Sequence, residues 1–233
     1  MNPNAAILRE YAARYNDPVY FREDPIIFPK HFAELYARGE CSLHDVEIAA
    51  VISAHLAWGR RAMIVRDCSR ALDEMGNKPY DYVMRGAYRC DSCSLHRTVM
   101  WSEFADICAA LKRYYENSPS LEHLSADDFR TRIYCRKSDP RAANKKINML
   151  RRWMVRCDGK VDLGLWRDSS PADLIIPLDV HVHTVALEMG LTSRKSADLT
   201  TAMEITSELS EIFPGDPCLG DFALFGYGVT RKS

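Results

Sequence analysis

Apolar positions recur along this chain at the three- and four-residue spacing of helices, and strand-like alternation does not recur. The first helix is predicted over residues 4–15, with Asn16-Asp17-Pro18 breaking it. A second segment runs from Pro29 to Arg38 and stops at Gly39. Ser42 caps the next helix, with Asp45 three residues on as a capping box. That helix holds Val46, Ile48, Ala49, Ala50, Val51, Ile52, Ala54, Leu56 and Ala57, so it is apolar nearly all round and predicts the buried centre of a helical domain. Gly59 ends it, and a further helix spans Arg60 to Met75 with Gly76 as its stop. Residues 87–98 read as a loop. Helices follow over 102–115, 120–135 and 140–156, with Asp158-Gly159 as a break. Ser170-Pro171 starts a single turn. The last three helices are predicted over 179–190, 198–212 and 218–230. The fold class expected is all-α.

Composition narrows the class. The chain has 233 residues, 47% hydrophobic and 27% charged, which is globular and not disordered. No apolar run reaches membrane-spanning length, and Met1-Asn2-Pro3-Asn4 opens no basic region followed by an apolar core. Eight cysteines lack a framework pattern, so reduced thiols and a cytoplasmic protein are expected.

The net charge is −1, but it is polarised. Residues 136–160 carry nine basic side chains against Asp139 and Asp158, and residues 198–221 carry six acids and no Lys or Arg. Clustered Lys and Arg suit phosphate backbones, because binding there releases counterions. At 100° per residue, Ala143, Ile147, Leu150, Trp153 and Met154 share one arc. Lys145, Arg152 and Arg156 share the opposite arc and are the expected phosphate contacts. Lys146 falls in the apolar arc beside Trp153, where partial desolvation favours an amine nucleophile. Trp58 with Arg60 and Arg61 could stack on a base or hold a phosphate.

The segment Ile175-Ile176-Pro177-Leu178-Asp179-Val180-His181-Val182-His183-Thr184 predicts a helix capped by Asp179 and stopped at Gly190. The helix dipole favours an ionised carboxylate at that end. Asp179, His181 and His183 form a candidate metal set, but two histidines at i, i+2 point about 200° apart on a helix. Cys90, Cys93 and His96 form a second candidate set, without the paired half of a strong zinc motif.

Three segments, in order, resemble the helix-hairpin-helix–Gly/Pro/Asp DNA glycosylases. Pro177-Leu178-Asp179-Val180-His181-Val182-His183 with Leu191 resembles their "P-V-D-x-H" segment. Ile52-Ser53-Ala54-His55 resembles their "L-S-A-Q" helix, and Asp221–Gly228 their "x-x-A-L-x-x-L-G" helix. Lys145–Met154 and Val161–Trp166 resemble an uncharacterised bacterial branch of that superfamily. The resemblance implies an all-α, two-lobed fold with a base pocket between lobes, here expected over residues 40–135 and over 1–39 plus 136–233. It implies that Asp179 is the catalytic carboxylate and that His55 lines the pocket, with Trp58 and Trp153 also expected there; Lys145 or Lys146 would be the Schiff-base nucleophile if the enzyme is bifunctional. Arg60, Arg61, Arg152 and Arg156 would contact DNA, a damaged base flipping out of the duplex. The hairpin "L-P-G-V-G-x-K" is absent upstream of Asp179, and Lys160 sits in Cys157-Asp158-Gly159-Lys160 instead. The C-terminal cysteine set for an iron–sulfur cluster is also absent, so no cluster and no other cofactor is expected. Two rivals are a catalytically silent nucleic-acid-binding module and a metal-dependent hydrolase built on Asp179, His181 and His183.

Overall fold

A computed structural model describes residues 2–230. It is mostly helical, with one two-stranded sheet among the described residues, so the fold is all-α. The chain forms two compact units, Met1–Tyr20 with Asp139–Ser233 and Phe21–Ser138. None of the described helices is long and apolar enough to cross a membrane.

The chain opens with α1 (Ala5–Tyr15) and then enters the Phe21–Ser138 unit through α2 (Ile27–Ala37) and α3 (Leu43–Leu56). Every residue of α3 from Asp45 to Leu56 is buried, as its all-round apolar surface predicts. The Ser42–Asp45 capping box forms. The other Asp45 oxygen accepts the Tyr80 backbone N–H at 2.9 Å, which fixes the start of α5 (Pro79–Arg85) against the start of α3. Between them lies α4 (Arg61–Glu74). Glu47, buried on α3, accepts from Tyr115 Oη at 2.8 Å, from Ser120 Oγ and from the Leu121 N–H at 3.1 Å. One carboxylate thus satisfies the donors that join α3 to α6 (Trp101–Tyr115) and the turn after it.

Local chemistry explains the departures from the predicted elements. The expected loop 87–98 contains the hairpin β1 (Ser94–His96) and β2 (Val99–Met100), with Arg97 at φ 55° in its tip. The expected helix 120–135 reduces to α7 (Ala126–Asp128) and a π turn at Phe129–Ile133. Ser125 accepts the Asp128 N–H and so starts the helix late, and Cys135 at φ 50° ends it. The expected helix from Pro140 begins only at Lys145, because Asn144 takes φ 47°. Residues 21–39, expected with the Asp179 lobe, belong to the other unit because α2 packs on α3.

The second unit is completed by α8 (Lys145–Val155), α9 (Val180–Glu188), α10 (Leu199–Ile212) and α11 (Leu219–Thr230), with α1 packed along α11. Its core joins Leu8 and Ala12 of α1 to Ala186, Ile205, Leu209 and Leu224. Gly226 permits the close approach of α1, since a Cβ there would lie 2.1 Å from Cδ2 of Tyr15. Between Arg156 and Asp179 the chain holds one helical turn, Pro171–Asp173.

Candidate active site

Buried Ile176, Pro177 and Leu178 lead into Asp179, which takes extended geometry as the N-cap of α9. Asp179 Oδ1 accepts from the backbone N–H of both His181 and Val182 at 2.9 Å. No donor among the described residues reaches Oδ2, and the residue is half-exposed. One carboxylate oxygen therefore fixes the side chain while the other remains open.

Two charged groups share this neighbourhood. Asp221, buried in the first turn of α11, is pushed above the ordinary carboxylate pKa by burial and by the Asp179 charge, against the pull of Arg152 and Lys145. Its Oδ2 accepts from Nη1 of Arg152. Lys145, the first residue of α8, is half-buried with Nζ 3.6 Å from Sδ of Met149. Lys146 is also half-buried, one residue further round the helix. Asp221 lies in the segment resembling the glycosylases' "x-x-A-L-x-x-L-G" helix and is not among the expected site residues. Its position at the start of a helix whose next residues are all buried was the available signal.

The basic helix differs from its expected role at two positions. Arg152 and Arg156 are buried, at 5% and 1% exposure, and do not form a phosphate-binding surface. Arg152 donates to Asp162 at 3.2 Å and to Asp221. Arg156 donates to Asp216 at 2.8 Å, to Asp158 at 3.0 Å and to Asp162. Both guanidinium groups lie over the Phe222 ring, at 4.7 and 5.0 Å. Asp162 is raised by burial, against the pull of both arginines. Part of the apparent charge polarity is thus an internal pairing between the basic segment and the acids at 216 and 221. Trp153 is fully buried and belongs to the core, where it cannot line an open pocket.

The remaining sites fall in the Phe21–Ser138 unit. His55 is buried, with Nε2 2.9 Å from Oε1 of Glu103 and its ring 4.8 Å from Tyr134. The His55 hydrogen bond, more than the nearby Arg136, holds the Glu103 carboxyl below its ordinary pKa. Trp58 is half-buried beneath the Arg97 guanidinium, 4.3 Å from its ring centre. Arg60 and Arg61 are exposed, the latter 4.0 Å from Asp24.

Each candidate metal set has one histidine engaged elsewhere. His183 is buried with Nε2 2.8 Å from the Arg194 carbonyl, while His181 is exposed. His96 spans Asp67 Oδ2 at 2.8 Å and the Trp58 carbonyl at 2.9 Å. Both ring nitrogens are thus taken up by protein partners. Among the described residues no three His, Cys, Asp or Glu side chains converge as a ligand set.

The fold and this geometry define an all-α protein carrying a helix-capping carboxylate, a buried acid that feels its charge, and a half-buried amine. The chain belongs to the family described as "Protein of unknown function (DUF2400)", whose model matches residues 24–138 and 127–230. The first match ends where the Phe21–Ser138 unit ends. No curated protein and no solved structure matches the chain.

Proposed function

We propose that the protein is a DNA base-excision glycosylase in which Asp179 is the catalytic carboxylate and Lys145 the amine nucleophile. The observation that carries this reading is the open Oδ2 of Asp179, in a carboxylate pinned by two backbone N–H groups; its charge and that of Lys145 both act on buried Asp221. Breaking an N-glycosidic bond builds positive charge at C1′, which a fixed carboxylate stabilises without reorganising. The Lys145 amine then attacks C1′, the base leaves with the bond's electron pair, and the ring opens to a Schiff base. Loss of the 2′ proton eliminates the 3′ phosphate and cuts the strand. Lys146 takes that role if Lys145→Ala leaves the adduct intact. With eight unpaired cysteines, we assign the protein to the cytoplasm.

Borohydride trapping on duplexes bearing abasic or oxidised bases tests this directly. Wild-type protein should form a covalent adduct that Lys145→Ala abolishes and Lys146→Ala retains. No adduct and no base release across a broad lesion panel, with duplex binding intact, supports the second reading, a nucleic-acid binder without chemistry. The single helical turn between Arg156 and Asp179, where glycosylases carry a helical hairpin, favours that second reading.

A further inference from the structure

A second cluster lies within the Phe21–Ser138 unit, where Arg97 joins Trp58 and Arg60. Arg97 sits in the β1–β2 hairpin tip at φ 55°, its carbonyl accepting Ser94 Oγ at 2.7 Å. Its guanidinium lies over the Trp58 ring. Gly59, next in the chain, makes room for it: a Cβ there would lie 2.5 Å from Arg97 Nη1. The hairpin is anchored from inside, because His96 bridges Asp67 to the Trp58 carbonyl.

The charges around this anchor are unevenly spent. Asp67 is buried, yet its pKa is lowered because Arg66, His96 and Arg70 all donate to it and outweigh the burial. Arg66 and Arg70 are therefore engaged. Arg60 and Arg97 are exposed, and neither meets a carboxylate within 4 Å among the described residues. With its guanidinium carbon over the Trp58 ring and one nitrogen beside Gly59, the exposed Arg97 side chain is held in place, which lowers the entropy lost on binding a phosphate.

We infer that Arg97 on Trp58, with Arg60, forms a docking surface for the phosphodiester backbone of a nucleic acid. The inference rests on the proposed nucleic-acid partner and adds Arg97, which the sequence pattern did not single out. A strand presents a phosphate about every 3.4 Å, so guanidinium groups on neighbouring parts of the surface meet successive charges.

Titration of a fluorescein-labelled DNA duplex at several salt concentrations, read by anisotropy, tests this. Arg97→Ala should lower the slope of log affinity against log salt by about 0.9, and the Arg60→Ala/Arg97→Ala double variant by about 1.8. Arg38→Ala, an exposed arginine paired with Glu40, is the equal-charge control and should leave the slope unchanged. Circular dichroism of each variant confirms folding. Wild-type binding with a slope that neither Arg97→Ala nor the double variant changes overturns this surface while leaving the glycosylase reading standing. No duplex binding by wild-type protein overturns both. Binding of polyglutamate in place of duplex, lost on Arg97→Ala, overturns the assignment of the partner.

Discussion

Replacing Arg156 by alanine distinguishes a structural arginine from a phosphate ligand. Its side chain donates to three carboxylates, those of Asp158, Asp162 and Asp216. Asp158 and Asp216 side chains are 24% and 29% exposed and can rehydrate, so their lost pairing costs little. Asp162 is fully enclosed and would keep only Arg152. Removing one partner of a buried pair costs about 3–5 kcal/mol. For a chain of this size that corresponds to a melting point lower by about 6–20 °C. Urea unfolding followed by tryptophan fluorescence, with buried Trp153 one turn away, measures it. The deficit has a pH signature. Burial already raises the Asp162 pKa, and loss of Arg156 raises it further. The folded variant then takes up a proton more readily than the unfolded chain, so the deficit shrinks as pH falls through that pKa. An unchanged urea midpoint at pH 7 with weakened duplex binding would refute the reasoning and restore Arg156 as a surface phosphate contact.

Other consequences follow from packing and charge. Gly226→Ala drives a Cβ into the Tyr15 ring and should destabilise by about 1–3 kcal/mol, read by thermal melting; an unchanged melting point would show that α1 and α11 separate freely. Asp198 caps α10, and the Thr201 N–H, then the Ser196 hydroxyl, hold its pKa below the ordinary carboxylate value. Its charge therefore stabilises the fold above the unfolded value of about 3.9, and that contribution is lost as pH falls through the lower folded pKa. Asp198→Asn keeps a cap without the charge, so its deficit at neutral pH should vanish in acid; a deficit that grows in acid would reverse the sign.

Local chemistry made much of this fold legible. The Ser42–Asp45 box, the all-round apolar run to Leu56 and the Asp179 cap are each written within a few residues, and each forms. Pro79 at the start and Gly86 past the end of α5 were equally local signals. What helical phase could not reveal is partnership across the chain. Arg152 and Arg156 lie opposite the apolar arc, but Asp216 and Asp221 arrive from 60 and 69 residues away and, with Asp162 just past the helix end, enclose them. The same long-range folding brings Asp221 into the field of Asp179 and Lys145, where no motif spacing relates the three. Asn144 took left-handed geometry inside the helix expected over 140–156, and Cys135 did so at the end of the one expected over 120–135; no periodic signal marks either residue.

The central claim is that Asp179 serves both as cap and as catalytic carboxylate. Asp179→Asn retains a capping oxygen, so its melting point and duplex affinity should match wild type. Base release from a duplex bearing the lesion that wild-type protein processes is the most direct measurement. The account predicts release abolished in Asp179→Asn with folding and affinity intact; release at the wild-type rate would contradict it.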